Sequence, residues 1–490
     1  MGIVKRQGIL NSIITYAGIV IGFVSLLIVQ PHFLTKEEIG LTRVLFSFSA
    51  LIATFMPFGM NGITLKYFPY FRDRDKGHYG FFGFMLLVPL LGFLIVAIIM
   101  WSVKSLIISQ YIGQSKLFTD YFFYAFPMTL FLAFISVLNA YSYSLFKTSF
   151  PTLLNDVMVR LVSILLFTIY HIKVIDRDQF VFLFCSIYGL QVIVLLIYIF
   201  IVDKPKMKVD KAFLKEQNPK AMFVYGLVIS LAALSSLGLK YLDVVMLGKF
   251  VPLSLVGIYA ISAFIPTVIE APLSALEKIA LTTIAQARSN NNMNDIREIY
   301  FKSSKYLLLI GGILFLGINL NIDSLFKLMP DKDFALGKYV VLIISTGTLV
   351  NMATGTNDSI IYTSEKYVYG TYMLFVLFVM AIINNLIFIP RYGIEGAAFA
   401  TALSALIYNS MKFIFIWRSF HLQPFDRKTL LIIFNIIFCW TIVFFIPHLE
   451  NAVVDIIFRS IIITFVFGMI TYVLKIVPEF HKYIPLMKRK

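Results

Sequence analysis

The sequence predicts an all-α polytopic membrane protein of about fourteen transmembrane helices: two six-helix lobes around a central cavity, plus two C-terminal helices. Three observations predict it. Of the 490 residues, 59% are apolar and only 14% are charged, against about 25% charged in an ordinary soluble domain. The chain therefore has too few polar groups to cover a soluble surface. Its apolar residues fall into runs of about twenty, the length that crosses a bilayer as a helix. The Lys and Arg residues between those runs collect on one side. This composition excludes a soluble enzyme, a disordered protein and a disulfide scaffold.

The runs, in order, are 9–30, 42–60, 80–101, 119–140, 153–171 and 180–201, then 222–247, 254–276, 304–322, 338–360, 368–389, 395–415, 429–447 and 455–474. The first is about 22 residues long, and no A-x-A cleavage pattern follows it, so it reads as a retained span rather than a signal peptide. Between the sixth and seventh runs lies a basic break, 202–221, holding Lys204, Lys206, Lys208, Lys211, Lys215 and Lys220. It divides an N-lobe, 1–201, from a C-lobe, 222–415. Residues 416–490 carry spans 13 and 14 and a cytoplasmic tail.

With the N-terminus inside, inner segments hold 28 Lys and Arg and outer loops 11, with Arg160, Lys240 and Arg459 inside spans. That bias puts both termini in the cytoplasm. It also accounts for the net charge of +16 without nucleic acid as a partner. The outer loops are too short for an external catalytic domain. Cys185 and Cys439 lie in apolar runs, without CxxC or metal-ligand spacing.

A weak internal repeat supports the two lobes. Phe33, Ile39, Gly40 and Leu41 recur as Phe250, Val256, Gly257 and Ile258, at an offset of 217. An even number of spans separates the copies, so the repeat is parallel, and its halves would face each other across a cavity.

The same junctions carry a resemblance. Phe33-Leu34-Thr35-Lys36-Glu37-Glu38-Ile39-Gly40 resembles the first outer turn of polysaccharide transporters, as does Phe58-Gly59-Met60-Asn61-Gly62-Ile63-Thr64 leading to Lys66-Tyr67. Ile389-Pro390-Arg391-Tyr392-Gly393-Ile394-Glu395-Gly396-Ala397-Ala398 resembles the turn between that family's eleventh and twelfth helices. The Asp243, Gly248, Gly257-Ile258-Tyr259 spacing resembles its seventh-to-eighth junction. In this order the motifs resemble the Wzx-like O-antigen flippases of the multidrug/oligosaccharidyl-lipid/polysaccharide (MOP) exporter superfamily, whose fold is MATE-like.

The resemblance implies a bacterial inner-membrane protein, not an enzyme. Its cargo would be an oligosaccharide on undecaprenyl pyrophosphate, moved to the periplasmic leaflet for lipopolysaccharide or surface-polysaccharide synthesis. Transport would be by alternating access, with ion coupling and no cofactor. Membrane lipids, a polysaccharide polymerase and chain-length machinery are the implied partners. The absence of a GxxxxGK[ST] loop agrees. Three alternatives stay open: a lipid II or teichoic acid flippase, a drug or cation antiporter, and a membrane enzyme. The antiporter is disfavoured because span 1 has no acidic residue. The enzyme is disfavoured because no long outer loop or soluble domain carries carboxylates.

An anionic cargo rich in hydroxyls calls for ionisable and amide side chains inside spans, where they are costly, about 2.5–3.5 kcal/mol each, and so need a reason. Arg160 with Asp156 and Lys240 with Asp243 have helical pair spacings. They read as cavity-lining cations that hold the pyrophosphate, or as self-neutralising pairs. Arg43 opens span 2. Asn351 and Asn357 in span 10 and Asn384 in span 11 read as partners for sugar hydroxyls, or as helix–helix hydrogen bonds. Glu270, Glu277 and Asp243 are the ion-coupling candidates, Glu277 alternatively pairing with Lys278 or Lys240. Gly18 and Gly22 in span 1 read as a close-packing face. Arg459, after Asp455, reads as peripheral. The six histidines lie near span ends and form no metal motif.

Overall fold

The computed structural model describes residues 2–476; His481 and the rest of the expected tail lie outside the described residues. The N-terminal helices are α1 (Gly2–Val24), α2 (Gln30–Phe33), α3 (Lys36–Ala53), α4 (Met60–Phe71), α5 (Phe81–Ser102), α6 (Lys104–Tyr111), α7 (Lys116–Asp120), α8 (Ala125–Ser144), α9 (Ser149–Leu153), α10 (Val159–His171) and α11 (Arg177–Val202). Then come α12 (Lys211–Glu216), α13 (Pro219–Phe250), α14 (Leu253–Phe264), α15 (Thr267–Ser289), α16 (Met293–Asn319) and α17 (Ile322–Lys327). The last are α18 (Lys338–Ala353), α19 (Asn357–Tyr362), α20 (Tyr367–Phe420), α21 (Arg427–Phe444) and α22 (Ala452–Val473).

Local chemistry sets where these helices start. A capping box, Thr35 with Glu38, opens α3, and Asp176 with Gln179 opens α11. Asn218 caps α13 ahead of Pro219, and Asp426 with Thr429 opens α21. Long apolar faces stay uncovered: on α5, Leu91, Leu94, Ile98 and Ile99 are all exposed. Stripes of that size belong in hydrocarbon, not water, and the protein is a multi-pass membrane protein.

Among the described residues, eleven helices are long and apolar enough to cross a bilayer, or twelve if α14 and α15 form one bent span. The fourteen expected crossings are compatible with this. The helix α20 is two runs doubled back at Gly393, whose φ of 55° ends the first. Asn384 then donates to Ser404 across the hairpin at 2.9 Å. The helix α3, expected as span 2, fails the apolar test on Lys36, Glu37, Glu38 and Arg43.

Three runs expected to be continuous are broken. Span 2, expected over 42–60, stops with α3 at Ala53; residues 54–59 break it, with Gly59 at a φ of 69°, and α4 follows beyond its expected end. Span 8 divides into α14 and α15, bent by 46°, at Ile265-Pro266, and its second half continues to Ser289. Proline lacks the N–H that would bridge such a break. Span 10 divides into α18 and α19 at Thr354-Gly355-Thr356, with Gly355 at a φ of 64°. Backbone breaks at membrane depth are tolerated where protein or a water-lined cavity covers them.

The chain forms two compact units, 1–257 and 258–490. In the first, α8 packs against α3, α4, α5 and α11, and α13 lies along α3 and α4. Its core centres on Phe68, Phe81, Phe82 and Tyr141. The repeat glycines also meet here. A Cβ on Gly40 would collide with the Leu253 carbonyl, and one on Gly257 with the Lys36 carbonyl. In the second unit, α16 packs against α15, α18, α21 and α22, around Leu307, Leu316, Ile436 and Phe467.

The basic linker is a packed part of the first unit rather than a free tether. Asp210 N–H donates to the Tyr79 carbonyl at 2.9 Å, and the Tyr79 and Phe213 rings stack at 3.7 Å. Gly80 and Gly83 approach the carbonyls of Lys208 and Met207 so closely that no side chain would fit. Beneath them is a buried knot. The Asp73 N–H donates to His78 Nδ1 at 3.1 Å, which leaves Nε2 as the donor to Asp203 at 3.1 Å. Tyr141 donates to the other Asp203 oxygen at 2.6 Å. Burial alone would raise the Asp203 carboxyl, but the hydrogen bonds from His78 and Tyr141 and the nearby charge of Arg74 hold it below the ordinary carboxylate range.

Candidate functional site

Two polar clusters sit within the helices, one in each unit. In the first, two π-helical turns, Ser25–Val29 and Leu154–Met158, interrupt the ends of α1 and α9. Such turns often occur at functional sites, and here each places a polar side chain. Gln30, just after the first turn, accepts from Arg43 Nη2 at 3.0 Å. Asp156 lies in the second, and Arg160 follows one turn later on α10.

The glycine face of α1 receives them both. A Cβ on Gly18 would strike Asp156, and one on Gly22 would strike the Arg160 guanidinium. Arg160 donates to the Gly18 carbonyl, and Thr15 donates to Asp156 at 3.1 Å. Gly18 and Gly22 are thus the close-packing face expected, and what they admit is charge.

Arg43 and Arg160 both reach the first helical run, Arg43 through Gln30 and Arg160 through the Gly18 carbonyl. Asp156 acts on Arg160 through space, while its carboxylate is bonded to Thr15. Arg43 Nε is buried and makes no hydrogen bond. A buried donor without a partner costs about 1–3 kcal/mol, so this nitrogen is poised for an acceptor. Beside Arg43, Phe46 packs against Tyr188 at 5.4 Å and against Tyr241 at 5.8 Å. Guanidinium groups next to such rings suit a phosphorylated sugar better than a cation.

Lys240 and Asp243 lie on α13, in the same unit as Arg160. Lys240 is exposed, and Asp243, half-buried, is engaged in an interaction of its own.

The second cluster surrounds the break between α18 and α19. Asn351, one turn before the break, donates to Glu270 of α15 at 3.5 Å. Asp358, just after it, holds Lys412 at 3.0 Å; the Lys412 side chain is only 3% exposed. The ammonium also sits 4.3 Å from the Tyr408 ring centroid, and the Tyr408 hydroxyl donates to Asp358 at 3.5 Å. Glu277 feels the charges of Asp358, Lys412 and Glu270. Ser404, Tyr408 and Lys412 form one stripe of α20 at four-residue spacing. Asp358 holds the Lys412 ammonium, and Glu270 joins the cluster through Asn351, so the break gathers carboxylates around a buried cation.

Of the predicted amides, Asn351 belongs to this cluster. Asn357 is the first residue of α19, buried, with neither amide atom bonded. Asn384 is spent on closing the α20 hairpin. Arg459 has a structural place: buried, it donates to Asp455 at 3.2 Å and to the carbonyls of Val443 and Ile446. Asp455 also accepts from Ser324, His448 and Leu449. Among the described residues, no group of three or more His, Cys, Asp or Glu side chains is placed to hold a metal ion.

Sequence reasoning missed Lys412, Tyr408, Gln30 and the π-turns. Lys412 lies inside the expected span 12, and counting it with the adjoining inner segment concealed it.

No protein-family model matches the chain. It is 22% identical over 469 residues, 89% of each chain, to an uncharacterized membrane protein of Methanocaldococcus jannaschii. Two Haloferax volcanii proteins match shorter stretches. The probable flippase AglR is 29% identical over 35% of this chain and 36% of its own length. The probable low-salt glycan biosynthesis flippase Agl15 is 22% identical over 38% of this chain and 40% of its own. Both of these matches therefore span well under half of the relative. Among solved structures, the lipid II flippase MurJ in an inward closed conformation superposes with a TM-score of 0.75. It covers 95% of this chain and 98% of its own, at 14% identity. An inward-facing MATE-family multidrug transporter of the MOP superfamily gives 0.62, over 83% and 93%, at 15% identity. The fold is that of MurJ and the MATE transporters.

Proposed function

We propose that this MOP-fold membrane protein is a flippase for a lipid-linked oligosaccharide. The observation that carries the reading is in the first unit: Arg43, with an orphan donor, beside the rings of Phe46, Tyr188 and Tyr241, and Arg160 on the glycine face of α1. Guanidinium forks hold phosphate oxygens in bidentate fashion, and rings beside them suit sugar faces. Both Haloferax relatives are named as probable flippases, and the name of Agl15 supports a glycan-linked cargo. The absence of a carboxylate in α1 speaks against a cationic drug.

In this reading the cargo is an oligosaccharide on undecaprenyl pyrophosphate, and both termini are cytoplasmic. The protein moves the headgroup to the opposite leaflet without chemical change to it. Glu270, Glu277 and Asp358 around Lys412 supply the cation exchange that drives the cycle.

The test is flipping in proteoliposomes. A fluorescent undecaprenyl-pyrophosphate oligosaccharide is loaded, and the fraction reached by an impermeant glycosidase is followed with time. The expected result is protein-dependent exchange of this lipid, with lipid II and a cationic dye moved far more slowly. Movement of lipid II or the dye alone would overturn the proposal.

A further inference from the structure

The outward face of α11 carries a groove that the proposed transport does not use. It has a volume of about 660 Å³ and is lined by Ile193, Leu196, Ile197, Phe200, Ile201 and Lys204. Ile193, Ile197 and Ile201 are each more than half exposed along a membrane span, so hydrocarbon fills the groove by default. A similar groove of about 570 Å³ on α22 is lined by Ile456, Ile457, Ser460, Ile461, Thr464 and Phe465. The α22 groove has no charge at its end. The α11 groove ends at an ammonium.

The surroundings of Lys204 gather positive charge there. Arg74, its side chain 72% exposed, reaches over to donate to the Val202 carbonyl at 2.7 Å. Lys206 and Lys208 follow, both exposed. The nearest carboxylate, Asp203, is turned inward, where His78 and Tyr141 donate to it; at 3.8 Å from Arg74 Nε it offsets part of that one charge, and Lys204, Lys206 and Lys208 keep the surface positive. Lys204 itself has a φ of 51°, the left-handed conformation that normally goes to glycine at a helix end. A lysine held at such a position invites a functional reading. The clamp between the linker and residues 77–83 fixes this arrangement against the end of the span.

We propose that the linker-side end of α11 binds an anionic phospholipid. One acyl chain lies in the groove from Ile193 to Ile201, about 12 Å of helix. The phosphate sits between Lys204 and Arg74. The occupant is a bulk phospholipid because the groove faces the bilayer, where such lipid is the most abundant amphiphile with the right charge. Basic clusters immediately beyond a span attract anionic headgroups in this way. This inference does not rest on the flippase reading.

The purified protein is delipidated in detergent and its melting temperature followed on adding phosphatidylglycerol or phosphatidylcholine, with bound lipid counted by native mass spectrometry. The parent is expected to retain phosphatidylglycerol and to melt several degrees higher with it than with phosphatidylcholine. Lys204→Gly removes the charge and also relieves the backbone, so it should fold at least as well without lipid yet lose the phosphatidylglycerol shift. Lys204→Arg should keep the shift, as should Lys332→Gln, a control of equal charge change elsewhere. An unchanged shift in Lys204→Gly overturns the proposal, as does equal stabilisation of the parent by both lipids. Retention of a polyprenyl phosphate in place of phospholipid, lost on Lys204→Gly, overturns it as well.

Discussion

Replacing Arg160 by Gln removes the charge and keeps most of the length. If the guanidinium holds a phosphate oxygen of the cargo, the loss is that of a charge-assisted hydrogen bond, about 1.5–3 kcal/mol. At about 1.4 kcal/mol per tenfold, flipping at low cargo concentration should fall about 10- to 150-fold. Arg160→Lys keeps the charge but not the fork and should lose less. The structure supplies a third perturbation that leaves Arg160 in place. A Cβ on Gly22 would overlap Arg160 Nη1 and sit 2.9 Å from its Cζ, where non-bonded heavy atoms normally keep about 3.5 Å, so Gly22→Ala pushes the guanidinium aside by about an ångström or more. Alanine also favours the helix, which separates loss of transport from loss of folding. Gly22→Ala should fall between Arg160→Lys and Arg160→Gln. The readout is the glycosidase-accessible fraction in proteoliposomes, normalised to inserted protein. Full activity of Arg160→Gln at normal protein level would refute the reasoning and leave Arg160 as a packing device against the glycine face of α1.

Four further outcomes follow from other parts of the molecule. Glu270→Gln should blunt the response of flipping to an imposed proton or sodium gradient without abolishing insertion; an unaltered gradient response would remove Glu270 from coupling. Lys412→Met leaves Asp358 without its ammonium and should lower the melting temperature in detergent, and adding Asp358→Leu should recover part of the loss; no recovery would mean that Lys412 stabilises through other contacts. Asp203 is held below its ordinary pKa, so its contribution is present at neutral pH and disappears as pH falls through the folded value. Asp203→Asn should therefore melt a few degrees lower than the parent at pH 7, and the gap should narrow as pH falls through and below the ordinary carboxylate range; a gap constant with pH would contradict the linkage. The proposed topology, with both termini cytoplasmic, predicts that an impermeant thiol reagent outside spheroplasts labels a cysteine placed at Asp331 but not one at Lys211; the reverse pattern would invert the topology.

The crossings were legible because hydrophobic runs are long-range signals that local detail does not erase. The repeat glycines were legible because a backbone crossing leaves room for no other residue. The helix breaks were not. Residues 54–59 include Phe55, Met56 and Phe58, and the break in span 8 includes Ile265, so hydropathy runs through both without interruption. Only Pro57 and Pro266 marked them. In span 10 the Thr and Asn residues read as one polar helix face, whereas Gly355 divides them. Lys412 was hidden for an electrostatic reason. A lysine a few residues from a span end has the sequence signature of a snorkelling flank, and only the tertiary approach of Asp358 and Tyr408 shows that it points inward.

The Gly40–Gly257 crossing also carries an imprint of origin. Lys36 and Leu253 stand at the same 217-residue offset as the two glycines. Each glycine therefore meets the counterpart of the residue that its own counterpart meets. That exchange, in which i touches j and j touches i, defines an isologous contact between identical subunits. The crossing within this single chain is arranged as the interface of a homodimer of half-length chains would be, before duplication joined them. Such symmetry makes the two positions interdependent. A bulkier side chain accepted at one could be accommodated by retreat of its partner strand of backbone, and compensating changes should therefore arise in pairs separated by 217 residues.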